Sequence, residues 1–223
     1  MSEIYILLPT LNEEKGLDLV LKDLAKLGFN MKNVIVVDGH STDKTIEVAK
    51  KYGVNVIMQE GGKGKGMGFQ TFLRKWRIND DDIYIMFDAD YTYDPKEYVK
   101  LESLIKMGYD IAMGRRKIYI DGFEAFIHVL GSVFLSITAS LFFFKFNPDI
   151  CTGYWAFKGS ALKKMKIRAK GFQLEANLFC EACKKGLKIG SVRVNYKERV
   201  GQRKLRTSDG LRILGFIIAE RFR

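Results

Sequence analysis

The chain has 223 residues, enough for one large α/β domain or two small ones. Its apolar and charged fractions, 47% and 28%, exclude an intrinsically disordered chain. A net charge of +11 implies an anionic partner: a nucleotide, a nucleic acid or a membrane surface. Three cysteines, Cys151, Cys180 and Cys183, argue against a disulfide framework and for a reducing compartment. The opening MSEIYILLPT reads as the start of a strand, because it lacks the basic region and long apolar core of a signal peptide.

In chain order, Ile4 to Leu8 is a short apolar strand that runs into PTLNEE. Thr10 or Asn12 can cap the helix that Glu13 and Glu14 begin, and Leu17, Val20, Leu21 and Leu24 recur at helical spacing. NVIVVD, 33–38, is a second buried strand, after which Ser41 or Thr42 caps a helix. A third strand covers 54–58. The glycine-rich GGKGKGMG then opens a helix that runs through Trp76. Its glycines would let backbone N–H groups and Lys65 approach a phosphate or ribose. It is not a P-loop, because no Gly-Lys-Ser/Thr ends it.

The stretch from Tyr84 to Pro95, YIMFDADYTYDP, is a buried strand that ends in two carboxylates, Asp88 and Asp90. The carboxyl ends of strands are where open α/β sheets bind ligands. Two carboxylates this close repel unless a cation lies between them, and hard oxygen ligands suit Mg²⁺ or Mn²⁺ held to a phosphorylated substrate. An acidic turn capping the next helix is the plainer reading, but Asp94 and Pro95 already fill that role. A helix over 95–107 and a strand over 109–113 follow. Alternating strands and helices predict a parallel sheet with helices on both faces, and nothing resembling a linker divides the chain, so one domain over 1–223 is expected.

The second half is less regular. Ala125 to Phe144 carries no Lys, Arg, Asp or Glu and is about the length of a bilayer span. Its serines and threonine leave three readings open: a membrane-interface helix, a core helix or an inserted one. A helix over 171–185 and a strand over 188–196 precede the basic YKERVGQRKLR, and the chain ends in a basic amphipathic helix. There Leu211, Leu214, Ile217 and Ile218 form the apolar face, with Arg212, Glu220, Arg221 and Arg223 offset from it.

Each of these motifs is weak alone; their order is specific. PTLNEE, VVDGHSTDKT, GKG at 64–66, DADYTYDP, GRR at 114–116, DICTGYWAF, GFQLEANLF and RVGQRKL together resemble glycosyltransferase family 2. Within that family the chain looks most like dolichyl (polyprenyl) phosphate mannose or glucose synthases. The resemblance implies a GT-A-type, Rossmann-like, mostly parallel sheet flanked by helices, with amphipathic membrane-interface helices in the C-terminal half. It implies inverting transfer of a hexose from a nucleotide-diphosphate sugar, GDP-mannose first, to dolichyl or polyprenyl phosphate. A UDP-sugar donor and a soluble or polysaccharide acceptor are the alternatives.

By the same resemblance, Pro9, Leu11, Glu13, Asp38 and Lys65 would line the base and ribose pocket, together with Asp88. Asp88 and Asp90 would hold Mg²⁺ or Mn²⁺. Arg116 would join them at the reacting centre, and Arg199, Arg203 and Lys204 would meet the diphosphate and the acceptor phosphate. The plain alternative for the run from Arg199 to Arg206 is a solvated basic surface. The sequence departs from the family pattern at Gly39, Thr92, Trp155 and Arg203, where Asp, Gln, Arg and Ser are usual. A phosphate nucleophile is already ionised near neutral pH, so no strong general base is needed; the two histidines, His40 and His128, are not beside Asp88–Asp90 in sequence. Partners would be the donor, the lipid phosphate and a membrane surface but no nucleic acid, placing the protein peripherally on the cytoplasmic face.

Overall fold

The computed structural model of the chain describes residues 2–117, 122–201 and 207–223. The first half alternates β1 (Ile4–Thr10), α1 (Glu14–Lys26), β2 (Val34–Asp38), α2 (Thr45–Lys51), β3 (Asn55–Met58), α3 (Lys65–Lys75) and β4 (Ile83–Met86). Then come α4 (Tyr98–Lys106), β5 (Ile111–Lys117), α5 (Gly122–Phe143), β6 (Trp155–Lys158), α6 (Gly159–Leu162), α7 (Leu174–Lys184), β7 (Ile189–Asn195) and α8 (Thr207–Arg221). Among the described residues these strands form a seven-stranded sheet in the order β3-β2-β1-β4-β6-β5-β7.

Parallel pairing joins β1 to β2 and β4, β2 to β3, and β5 to β7. The chain therefore winds outward from β1 to β3 and returns to β4 on the other side of β1. That reversal opens a crevice at the carboxyl ends of β1 and β4, the place where such sheets take ligands. One strand escapes the sequence reading. β6 lies antiparallel between β4 and β5, in a stretch that reads as irregular. It has four residues, and its apolar bulk faces one way: Trp155 and Phe157 enter one core, while Ala156 enters the other. Period-2 patterning is illegible at that length.

The strands bury both faces, which is why they read as continuous apolar runs. In β4, Ile83 and Ile85 pack under α1, α2 and α4, while Tyr84 and Met86 pack under α3, α5 and α7. The helix caps differ from expectation. Thr10 and Asn12 do not cap α1; its first N–H groups, at Glu13 and Glu14, donate to Thr45 Oγ1 at 2.9 Å and Asp43 Oδ2 at 3.1 Å. Asp43, not Ser41 or Thr42, accepts from the Thr45 N–H at the start of α2. The loops after β1 and β2 thus cap one another, which no local pattern announces.

The ambiguous apolar helix divides by face. Leu135, Ser136 and Ala139 of α5 are buried against the core. Ile127, Leu130, Phe134, Ile137 and Leu141 are exposed, and Phe144 just beyond is 86% exposed. Among the described residues no helix is long and apolar enough to cross a membrane. α8 packs on α5 and α7, and this sets its inner face differently from the sequence reading. Ile213 and Ile217 are buried, whereas Leu211 and Ile218, expected together on the apolar face, are exposed.

Glu220, expected on the polar face, is fully buried and anchors α8. It accepts from Lys184 Nζ at 2.6 Å and from Arg223 Nη1 at 2.9 Å, with Arg168 at 3.4 Å. Burial works against its charge, but the Lys184 bond and the neighbouring cations prevail and hold its carboxyl below the usual value. A lowered native pKa stabilises the fold above the unfolded value of about 4.3 and ceases to do so as pH falls through the native one. The melting temperature of the wild type is expected to exceed that of Glu220→Gln at pH 7, with the gap closing progressively below pH ~4.3. A gap that stays constant on acidification would remove this role.

Candidate active site

The crevice between β1 and β4 is the floor of a cavity of about 1700 Å³. Pro9, Leu11, Glu13, Lys65, Asp88 and Asp90 line it. Arg116 and Arg199 also line it, and Arg199 brings the C-terminal half of the chain onto Asp90 and Glu13. Arg203 and Lys204, assigned to the acceptor phosphate, lie outside the described residues.

Asp90 is nearly buried, and its carboxylate is aimed by its own loop. The Thr92 N–H and hydroxyl both donate to Oδ1, at 3.1 and 2.6 Å. The residue in the position of the usual glutamine thus orients Asp90. Between them Tyr91 adopts a positive φ of 64°, a strained backbone for a non-glycine, while its hydroxyl donates to Asp23 of α1 at 2.6 Å. Arg199 Nη1 lies 3.1 Å from Asp90 Oδ2, and Nη2 pairs with Glu13. Burial and the charge of Asp88 raise the Asp90 pKa, opposed by Thr92 and Arg199.

Asp88 meets Lys65 Nζ at 2.5 Å, and that ammonium also reaches Glu175 Oε1 at 2.6 Å. Burial alone would favour neutral Lys65, but Asp88 and Glu175 outweigh it and raise its pKa. Burial, opposed by Lys65 but aided by Asp88, raises that of Glu175. Glu175 is a site residue the sequence reading quoted in GFQLEANLF without giving it a role. A glutamate in the first turn of a helix is ordinary in sequence, and its burial against Lys65 comes from the packing of α7. Close packing also explains Gly153: a Cβ there would come 2.4 Å from Asp88 Oδ2.

Three assignments change in detail. Asp38 is completely buried and is not among the residues lining the cavity. Its oxygens accept from the Ser41 N–H at 2.8 Å, the Ser41 hydroxyl at 2.5 Å and Thr10 Oγ1 at 3.2 Å, so it shapes the loop around neighbouring Gly39. Two N–H groups in the first turn of the helix after the glycine-rich loop are already taken by the chain. Gly66 and Met67 donate to the carbonyls of Gly171 and Lys170, and a Cβ at position 66 would lie 2.1 Å from the Ala169 oxygen. Arg116 lies on β5 and forks onto Asp149, with Nε and Nη2 both at 2.8 Å, and stacks over Tyr196. Burial opposes its charge, but Asp149 overrides that and raises its pKa. Its charge is therefore largely matched before any ligand arrives.

The donor set suits a divalent cation bound partly through substrate. Among the described residues no group of three or more His, Cys, Asp or Glu side chains is placed to hold a metal alone. Two carboxylates plus phosphate oxygens are the usual Mg²⁺ environment. Positive groups of the chain itself, Lys65 and Arg199, already rest on both carboxylates.

The profile of glycosyl transferase family 2 matches residues 5–166. The chain belongs to glycosyltransferase family 2. It is a glycosyltransferase whose relatives include a dolichyl-phosphate hexose transferase of Haloferax volcanii, 30% identical over 92% of this chain and 87% of that one. A UDP-N-acetylglucosamine–dolichyl-phosphate N-acetylglucosaminyltransferase of Methanococcus voltae is 28% identical over 85% of this chain and 83% of that one. Among solved structures, glucosyl-3-phosphoglycerate synthase of Mycobacterium tuberculosis, in complex with Mn²⁺, UDP and glucosyl-3-phosphoglycerate, superposes with a TM-score of 0.79. That match covers 99% of this chain and 80% of the other at 18% identity, and the shared architecture is the GT-A fold. The glycosyltransferase thus has the mostly parallel sheet expected of it, with one antiparallel strand inside.

Proposed function

We propose that this glycosyltransferase moves a hexose from a nucleotide-diphosphate sugar, GDP-mannose first, to a polyprenyl or dolichyl phosphate at a membrane surface. One observation carries the reading: the two helices that wall the cavity, α5 and α8, also carry exposed apolar side chains. His128, Val129 and Ser132 of α5 and Ile213 of α8 line the cavity, while Leu130, Phe134 and Leu211 are exposed. A lipid-linked phosphate could then reach Asp88 and Asp90 without leaving the interface. The protein would lie peripherally on the cytoplasmic face, its basic surface drawn to anionic lipid.

Asp88 and Asp90 would hold Mg²⁺ or Mn²⁺, which supplies neutralisation of the charge growing on the departing diphosphate. Lys65, 2.5 Å from Asp88 Oδ1, holds that carboxylate in place. Pro9, Leu11 and Glu13 border the nucleoside. Arg199, with Arg203 and Lys204, would bring the acceptor phosphate into line with the anomeric carbon. That phosphate is its own nucleophile, so the site requires no general base. The second reading, a UDP-hexose or UDP-N-acetylhexosamine donor, draws on the named activity of the Methanococcus relative.

Assay with GDP-mannose, UDP-glucose and UDP-N-acetylglucosamine, each with Mn²⁺ and a short polyprenyl phosphate, is expected to give an organic-extractable product with one donor. Transfer to soluble acceptors alone would overturn the proposal. Membrane docking has its own readout. Burying one phenylalanine contributes about 1.5–3 kcal/mol, so Phe144→Asp should weaken sedimentation with anionic vesicles about tenfold or more. Unchanged sedimentation would detach the apolar face from membrane binding.

A further inference from the structure

Two cations of the chain rest on the two aspartates, and they are held differently. Lys65 is inside, with a side chain 12% exposed and clamped between Asp88 and Glu175. The backbone beside it is tied down, since Gly66 and Met67 donate to Gly171 and Lys170. Arg199 belongs to the segment after β7, and its side chain is 25% exposed. Its fork is split between Asp90 and Glu13, which come from the loops after β4 and β1. A guanidinium binds most firmly when both arms meet one carboxylate. Here each carboxylate receives one arm, and among the described residues Nε has no hydrogen-bond partner.

We infer that Arg199 is an exchangeable counter-ion of the metal site, neutralising Asp90 until a divalent cation takes that carboxylate. The inference rests on the metal reading of Asp88 and Asp90. Its logic is electrostatic. Asp90 is buried, and its Oδ2 already meets the Arg199 guanidinium at 3.1 Å. A guanidinium and a dication repel, and both cannot occupy the same side of one carboxylate. The backbone limits the movement to the side chain. Val200 N–H donates to the Asp90 carbonyl at 3.0 Å and Lys197 N–H to the Thr92 carbonyl at 2.8 Å, so the segment stays docked on the loop. Glu13 offers a pivot that Arg199 keeps while leaving Asp90. The released arm remains at the cavity, where it can meet a phosphate. Loading of the donor would thereby prepare the cation that receives the acceptor.

The test uses the full chain and Mn²⁺ alone, with free Mn²⁺ counted by electron paramagnetic resonance. Loss of a charge-assisted bond competing for Asp90 should tighten Mn²⁺ binding by about tenfold or more in Arg199→Gln. Arg199→Met, a second neutral variant with different packing, should behave alike, and Arg199→Lys should stay near the wild type. Lys197→Gln serves as the field control. It removes a nearby charge that lies 3.6 Å from Asp94, and should leave affinity near the wild-type value. Equal or weaker Mn²⁺ binding in both neutral Arg199 variants, with melting temperatures near the wild type, overturns the inference. So does an equal gain in Lys197→Gln, which would mean a general field. The Asp90→Asn variant separates the two layers. If it leaves wild-type Mn²⁺ affinity unchanged, the metal reading falls, and the counter-ion with it. If it weakens Mn²⁺ binding while neutral Arg199 variants bind no tighter, the counter-ion inference falls alone.

Discussion

Asp90→Asn is expected to lower sugar transfer by about 10²–10³-fold and to abolish Mn²⁺-dependent nucleotide binding, without loss of fold stability. The geometry separates those effects. Asparagine keeps an oxygen where Asp90 Oδ1 accepts from the Thr92 N–H and hydroxyl, so the loop retains its hydrogen bonds. What disappears is the charge, and with it the ion pair of Oδ2 with Arg199 Nη1 at 3.1 Å; the raised pKa means that burial and Asp88 outweigh that pair. Burial beside Asp88 raises the Asp90 pKa, so the folded state carries this carboxylate less readily than the unfolded chain does. A raised carboxyl pKa makes the fold relatively less stable once pH rises above the unfolded value, and a neutral amide lifts that penalty. A melting temperature at pH 7 equal to or above the wild type, together with lost Mn²⁺-dependent binding, is the expected signature. Transfer at the wild-type rate would remove Asp90 from the metal site.

Lys65→Met is expected to cost about 3–5 kcal/mol of stability, the range for breaking a buried ion pair from one side. It leaves Asp88 and Glu175 facing each other without the ammonium that each contacts within 2.6 Å. Urea denaturation measures the loss. Adding Glu175→Gln to Lys65→Met should recover a large part of it, because the remaining carboxylate no longer faces a second one. The double-mutant cycle then isolates the Lys65–Glu175 coupling. Transfer should fall in the single variant as well, since Asp88 loses its fixed partner. A single-variant loss below about 1 kcal/mol, the scale of an exposed pair, would show that solvent compensates the cluster.

The site was legible in the sequence where chemistry and position coincide. An apolar run ending in Asp-Ala-Asp can be read as a strand delivering carboxylates, and Asp88 and Asp90 stand at the cavity floor. Asp38 follows the same pattern at the end of β2, yet its carboxylate turns inward to Ser41 and Thr10. The pattern gives the end of a strand but not the rotamer, and the next loop decides which way the carboxylate turns. The glycines of GGKGKGMG were legible as a site of close approach. For Gly64 and Gly66 the partner is the 169–171 backbone, some hundred residues away, and nothing local identifies it.

By itself the sequence determined the strand–helix alternation, the two carboxylates at the end of β4 and the family. Those properties are written in short-range patterns: apolar runs, capping residues and motif order. Tertiary structure alone decided the insertion of β6 between β4 and β5, the inward face of α8 and the partners of Lys65 and Arg199. The reason is distance along the chain. Lys65 finds Glu175 and Arg199 finds Glu13 across more than a hundred residues, and such pairings exist only once the sheet has brought the two halves together.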